Sequence, residues 1–458
     1  MSLARGPSKV YSMETDGRSH SSATGLVQQM VTVFEAAGFD GMIRPGDTVA
    51  IKLHCGEWNN TAYLRPVYAR TLADRIKALG GRPFVCDTTT QTYSMASSRA
   101  TALDLLITAE RNGYTSATLG CPFIAADGYN GTDDVRIDLP EGFILQEAYI
   151  AKAIALADVM IVLTHFKGHP LGVVGGSIKN LGIGAQSKRG KMNVHMGGHP
   201  TYGFGAATDF HPERCKGRSG CARWEICESA CPYGLFHVTE DSIEWDRELC
   251  TDCLAHLGAN CWCGVCNNPE ITAQAACAAM ADGCLAAVKA VGVGKVGFIN
   301  MAIDVSPACD CVGFADMPIV PHLGVFASMD PVALDRATLD KAKDAPGVPG
   351  SAAEDYEAQA PGTRKFTTVS AHSFEGLSEE IQIVTGSLNG LGSLAYEMVT
   401  VDPVSDQMLW RFPDRRTLRE KFGPLYAKDD PFPRERHEGQ GYKRKAAVDL
   451  ERVTAPTD

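Results

Sequence analysis

The sequence predicts an α/β fold, a mostly parallel sheet with flanking helices, interrupted by a small cysteine-rich module. Three observations predict it. Short apolar runs alternate with helix-length segments along most of the chain, and one of them, residues 158–164, is apolar almost throughout, as expected of a strand buried on both faces. Nine of the sixteen cysteines fall between Cys215 and Cys266, and the strand–helix rhythm resumes beyond them, so the module reads as an insertion.

The elements follow in order. Gly46-Asp47-Thr48 turns into the strand Val49-Ala50-Ile51-Lys52-Leu53. Residues 63–79 carry a helical pattern, closed at its C-terminal end by Gly80-Gly81. Pro83-Phe84-Val85-Cys86 is a second strand that delivers Asp87-Thr88-Thr89-Thr90 at its end. Helical patterns are expected near 100–112 and 145–157, followed by the apolar strand at 158–164. After the cysteines, the alanine-rich residues 271–291 read as a helix and 295–301 as another strand. The expected domains are therefore 1–208, the first part of the α/β domain, and 209–270, the inserted module. The second part is 271–400, and 401–458 is a charged tail containing Asp429-Asp430-Pro431-Phe432-Pro433-Arg434, read as an extended arm.

Composition bounds the function. The 458 residues are enough for two or three domains, and 45% hydrophobic with 21% charged residues is ordinary for a soluble protein. No apolar run approaches the roughly 20 residues of a membrane helix, so no membrane insertion is expected. A formal charge of −11 and a pI near 5.6 argue against a nucleic-acid partner. The nearest basic patch, Lys188-Arg189-Gly190-Lys191, reads as a solvated loop. A disulfide framework fits poorly, because no secretory signal precedes the chain and its length needs no covalent staples; a reducing, cytoplasmic setting is expected.

The cysteine spacing points to a metal or iron–sulfur site. The first group is Cys215, Cys221, Cys227 and Cys231, and Cys227-Glu-Ser-Ala-Cys231-Pro232 has the Cys-x3-Cys-Pro ending of a bacterial ferredoxin motif. The second group is Cys250, Cys253, Cys261, Cys263 and Cys266. Two [4Fe–4S] clusters need eight thiolates, so with nine present one of Cys261, Cys263 and Cys266 is spare. One cluster is an alternative. Zinc is another, since Cys250-x2-Cys253 with Cys263-x2-Cys266 would satisfy a tetrahedral ion.

Chemistry in such folds gathers after the carboxyl ends of strands. Four loops there are chemically loaded: His54-Cys55-Gly56-Glu57; Asp87-Thr88-Thr89-Thr90; His165-Phe166-Lys167-Gly168-His169 with the glycine-rich run to Gly184; and Asp304 through Cys311. A helix beginning near Ser177 would aim its positive dipole end at a bound anion. His195 and His199 repeat the spacing of His165 and His169, which suggests that some of these imidazoles converge. Cys309-Asp310-Cys311 is spaced too closely to clip one metal with both sulfurs, so a single ligating or redox thiol, or a buried pair, is expected.

Thr164-His-Phe-Lys-Gly-His169, Ile178-Lys-Asn-Leu-Gly-Ile-Gly184, Lys52-Leu-His-Cys-Gly-Glu57 and Gly297 through Cys311 together resemble the domain-of-unknown-function 362 family, and within it the uncharacterised Fe–S center proteins. The resemblance extends through Asp316-Met-Pro-Ile-Val-Pro321 and Asp330-Pro-Val-Ala-Leu-Asp335, over roughly residues 5–400. It implies an α/β domain with a ferredoxin-like insertion carrying two [4Fe–4S] clusters, and no assigned reaction.

The expected function is a redox enzyme or electron-transfer protein whose clusters exchange electrons with a site in the α/β domain. Its partner would be a redox protein or a small-molecule substrate. His165 and His169 are expected as acid/base groups or metal ligands, Lys167 and Lys179 as anion-holding groups, and Asp304 or Asp310 as a carboxylate. The alternatives are a non-catalytic electron carrier or assembly partner, and a zinc-stabilised protein with non-redox chemistry.

Overall fold

The computed structural model describes the chain apart from residues 1–5, 16–21, 92–96, 196–208, 232, 251–262, 268–269, 371–375, 404–419, 421–422, 426 and 429–458. Its strands in chain order are β1 (Ser8–Glu14), β2 (Thr48–Lys52), β3 (Arg82–Asp87), β4 (Phe123–Ala125), β5 (Asp134–Asp138), β6 (Glu147–Ala151), β7 (Val159–His165) and β8 (Lys167–His169). They continue with β9 (Val173–Gly175), β10 (Asp209–Phe210), β11 (Phe236–Val238), β12 (Ile243–Trp245), β13 (Cys266–Asn267), β14 (Val296–Ala302), β15 (Gly324–Ser328) and β16 (Tyr396–Thr400).

The main sheet has eight strands in the order β16-β1-β15-β14-β7-β2-β3-β4. β15 lies antiparallel to both of its neighbours, and every other pairing is parallel, so the sheet is mostly parallel as expected. All four strands read from the sequence form within it. β7 is buried along all seven residues. Its side chains alternate between two cores, Met160 and Val162 on one face and Val159, Ile161 and Leu163 on the other, so each face is covered by different elements.

Helices Leu26–Ala36, Pro66–Ala78 and Ala102–Arg111 pack on the second of these faces. The long helix Glu270–Val291 packs on the first. Its stretch Ala273–Val291 is long and apolar enough to cross a membrane, the exception to the expectation that no such run exists, but 78% of that window is buried inside the fold. The helix approaches helix Ser177–Gly182 so closely that a Cβ on Gly182 would sit 2.1 Å from the Met280 carbonyl oxygen.

One expected helix does not form. Residues 145–157 contain β6 and a single helical turn, Lys152–Ala155. The local period is two, because Ala148 and Ile150 are buried while Glu147 and Tyr149 are half-buried, and β6 pairs antiparallel with β5.

The cysteine-rich segment has a small core of its own. β10 pairs with β13 and β11 with β12, and Phe236, Val238, Ile243, Val265 and Cys266 cluster with Cys215, Cys227 and Cys231 against them. Phe236 stacks on Trp245 with ring centroids 5.2 Å apart. By contacts the chain separates into Met1–Pro403 and Val404–Asp458. In the second unit the described residues are short helical turns at 420, 423–425 and 427–428, and the acidic, proline-bearing stretch 429–434 lies outside the described residues.

Candidate functional site

A cavity of about 310 Å³ lies at the carboxyl ends of β2, β3 and β7. β2 supplies Lys52 and then His54; β3 supplies Asp87 and the threonines after it; β7 ends in His165 and continues into the β8–β9 hairpin, which brings Lys167 and His169. Helices Ser177–Gly182 and Lys188–His195 add Lys179, Asn180, Lys191 and His195, and Cys311 enters from the loop after β14. The first three loaded loops thus converge, and the fourth contributes its end.

The lining is rich in positive charge. Lys52, Arg99, Lys167, Lys179 and Lys191 face the cavity, against one carboxylate, Asp87, among the described lining residues. Lys52 pairs with Asp87 at 3.1 Å, Arg99 with Glu57 at 3.2 Å, and Lys167 with Asp310 at 3.1 Å. Lys179 Nζ instead donates to Cys309 Sγ at 3.3 Å, and Lys191 Nζ donates to Thr88 Oγ1 at 2.7 Å and to the Gln186 carbonyl. Burial works against ionisation of Asp87, but Lys52, His54 and Arg99 outweigh it and hold the carboxyl well below its usual range. Burial pulls Lys191 down to about 8.

Lys188-Arg189-Gly190-Lys191 is therefore not a solvated loop. It begins helix Lys188–His195, and Lys188 and Lys191 are buried on the face shared with Val194, while Arg189 points out to Asp134 and Tyr149. The three-residue spacing of Lys188, Lys191 and Val194 was the available signal. Arg99 carried none.

Hydrogen-bond partners sort the imidazoles. His165 Nδ1 meets Asp310 Oδ1 at 2.8 Å, and its Nε2 meets the carbonyls of Ile303 and Asp304 at 2.9 and 3.2 Å, so both nitrogens donate and neither has a lone pair for a metal. His169 Nδ1 accepts the Gly172 N–H at 2.8 Å, and His54 Nδ1 accepts the Gly56 N–H at 2.9 Å, which leaves the proton of each neutral ring on Nε2. His195 Nδ1 lies 2.7 Å from the Lys191 carbonyl and donates to it, so its Nε2 keeps the lone pair. Burial, helped by Arg99, pushes His54 down to about 3; burial likewise lowers His169, with Lys179 adding to it, and His195. These three rings are neutral near pH 7. His199 lies outside the described residues.

The remaining expectations divide. Asp304 is not in the cavity lining; its side chain meets Arg65 at 3.1 Å and His322 at 3.5 Å, and its backbone sits at φ 47. Asp310 does not line the cavity either: it is buried behind the wall against His165 and Lys167, which do line it, and although burial opposes its ionisation their charges prevail and hold it well below its usual range. The amino end of helix Ser177–Gly182 offers no anion site, because Asp335 already accepts from Ser177 N and Ile178 N, both at 2.8 Å. The resemblance to Asp330-Pro-Val-Ala-Leu-Asp335 contained this cap without disclosing it.

Cys309 and Cys311, expected to act singly or as a buried pair, come together. Their sulfurs and a nitrogen of His169 lie within 4.8 Å of one another, a donor set able to bind a metal ion. Burial opposes ionisation of Cys309, but a hydrogen bond from Cys311 and the ammonium groups of Lys179 and Lys167 prevail and hold this thiol well below the usual range. The same contact, with burial, pushes Cys311 up.

In the cysteine module, burial and the neighbouring thiols Cys263, Cys215 and Cys221 push Cys227 up to about 11. Burial, Cys263, Cys227 and Cys250 push Cys266 up to about 12. These sulfurs are therefore close enough to repel one another as thiolates, the condition a thiolate-bound metal or cluster relieves. Cys231 packs on the module core, while Cys253 and Cys261 lie outside the described residues.

Residues 49–340 match the family model described as Domain of unknown function (DUF362). No curated protein matches the chain. Among solved structures, the lactate racemase apoprotein from Thermoanaerobacterium thermosaccharolyticum is similar at 11% identity and a TM-score of 0.31, with 86% of this chain and 83% of that chain covered. The matched family span runs from β2 into helix Pro331–Asp344, with all four loops and the cysteine module inside it. This chain belongs to the DUF362 family, a domain of unknown function.

Proposed function

We propose that the chain is an oxidoreductase that binds a small anionic substrate in the cationic cavity, with iron–sulfur clusters held by the 209–270 module. The observation that carries the reading is where the module joins the α/β domain. It departs after helix Lys188–His195, which lines the cavity with Lys191 and His195, and returns into helix Glu270–Val291, which lines it with Met280. These two helices pack on each other, so the chain leaves for the module and comes back from it at one wall of the cavity. A concave cavity with excess positive charge also favours a bound substrate over the flat docking face of a pure electron carrier.

Cys215, Cys221, Cys227, Cys231, Cys250, Cys263 and Cys266, with Cys253 and Cys261, are the thiols that would hold the clusters. When bound, such clusters supply single electrons over short distances. The rest belongs to the α/β domain. Lys179 and Lys191, which have no carboxylate partner among their described contacts, attract the anion; His195 Nε2 accepts a proton; and His54 and His169 offer Nε2–H donors. His165, Asp310 and Lys167 form a buried ion cluster that fixes the hairpin against the loop after β14.

Iron, sulfide and zinc analysis of anaerobically purified protein, with its visible spectrum, tests the reading. Clusters should give a broad absorption near ~400 nm that bleaches on reduction. Colourless protein with stoichiometric zinc would overturn it in favour of a zinc-stabilised fold.

A further inference from the structure

We infer that Cys309 and Cys311 form a redox-active dithiol that exchanges with a small anionic disulfide entering the cavity. The inference rests on the reading of the cavity as an anion site and does not depend on the cysteine module.

Residues two apart on an extended strand are too widely separated and poorly directed for easy bridging, whereas a turn draws them together. Cys309 to Val312 is such a turn, closed by Val312 N–H donating to the Cys309 carbonyl at 3.2 Å. Asp310, between the two thiols, is pinned by His165 at 2.8 Å and Lys167 at 3.1 Å. The anchoring leaves both sulfurs within 4.8 Å of each other. Cys309 is fully buried against Lys179, and Cys311 lines the cavity.

A metal ion is the rival occupant, and the hydrogen bonds weigh against it. His169 Nδ1 accepts the Gly172 N–H, so ligation through Nδ1 breaks that bond, and ligation through Nε2 displaces the ring's proton. The ammonium of Lys179 at 3.3 Å from Cys309 Sγ would also repel a cation at the pair. A dithiol keeps every one of these contacts.

Cys311 passes its proton to Cys309, and its sulfur bonds to one sulfur of the incoming disulfide as that S–S bond breaks and a first thiolate leaves. Cys309 Sγ then bonds to Cys311 Sγ, the second external sulfur leaves, and the proton goes with it. Two electrons pass from the protein to the external disulfide, which departs as one thiol and one thiolate.

The full-length reduced protein would be treated anaerobically with dithiodiglycolate, bis(hydroxyethyl) disulfide or cystamine, which are dianionic, neutral and dicationic. Peptide mass mapping would follow the segment holding both thiols. The expected result is a Cys309–Cys311 disulfide, reversed by dithiothreitol and formed about tenfold faster with the dianion than with the neutral reagent. Cys309→Ser should trap the mixed disulfide on Cys311, and Lys179→Met should shrink the charge preference. Equal rates with all three reagents would overturn the anionic partner and the anion reading while leaving the dithiol standing. No bridge and no trapped adduct, or a stoichiometric metal released by Cys309→Ser, would overturn the dithiol itself. Absence of iron from the module would overturn the proposed function without touching this result.

Discussion

Replacing Lys191 by methionine should stabilise the protein near neutral pH and weaken it as an anion binder. Lys191 is 4% exposed, and burial pulls its ammonium from the ordinary 10.5 to about 8 in spite of Asp127. A depression of that size means the folded state holds the charge at a cost of about 3 kcal/mol. Methionine keeps most of the volume, removes the charge, and loses the hydrogen bonds to Thr88 Oγ1 and the Gln186 carbonyl, about 1 kcal/mol each. The net expectation is a gain of about 1 kcal/mol near neutrality. The sign follows from a folded value below the unfolded one. The penalty is complete below about 8 and gone above 10.5, so the native lysine protein gains stability across that window and the variant does not. Urea midpoints of both proteins, measured from neutrality to about pH 10, read this directly, because the variant's advantage should shrink and then reverse. A variant already less stable at neutrality, with a deficit unchanged by pH, would refute the account of Lys191 as a cation buried at a cost.

Three further outcomes are expected. Asp310→Asn unpairs the buried His165 and Lys167 together and should cost about 3–5 kcal/mol in urea unfolding. Gly182→Ala places a Cβ 2.1 Å from the Met280 carbonyl oxygen and should cost about 1–3 kcal/mol by forcing helix Ser177–Gly182 off helix Glu270–Val291. Burial raises Asp335 from 3.8 to about 6, so its stabilising contribution is present below 3.8 and lost as pH rises through about 6. The native protein should therefore lose about 3 kcal/mol relative to Asp335→Asn across that window, measured by urea midpoints at its two ends.

The fold was legible where one period dominates. β7 and β14 are buried at every position, and a run of apolar residues is the direct imprint of a strand covered on both faces. β6 was not legible as a strand, because a five-residue strand followed by one helical turn averages to a helical pattern over a longer window. The loops also announced themselves by residue type, since His165, Lys167, His169 and Lys179 all reach the cavity. What their types could not convey was partnership. Asp304 and Asp310 look alike in sequence, yet one meets Arg65 near the surface and the other is buried between His165 and Lys167, 145 and 143 positions away, farther along the chain than any local pattern reaches. Contacts of that span depend on the sheet order, which sets β7 beside β14 and so brings the two loops after them together.

The same dependence decides which imidazole can do chemistry. His165 and His169 share a motif and seemed equivalent partners, but the ring bonded at both nitrogens is an anchor, and the ring bonded to a backbone N–H is a donor. The lone pair falls to His195, whose Nδ1 is fixed by the Lys191 carbonyl one helical turn before it. Lys191 therefore serves the cavity twice: its ammonium supplies positive charge, and its backbone sets the tautomer that leaves His195 Nε2 able to take a proton. Because the backbone contact survives a change of side chain, Lys191→Met should weaken anion binding while leaving the His195 tautomer intact, which separates charge from proton transfer at one position.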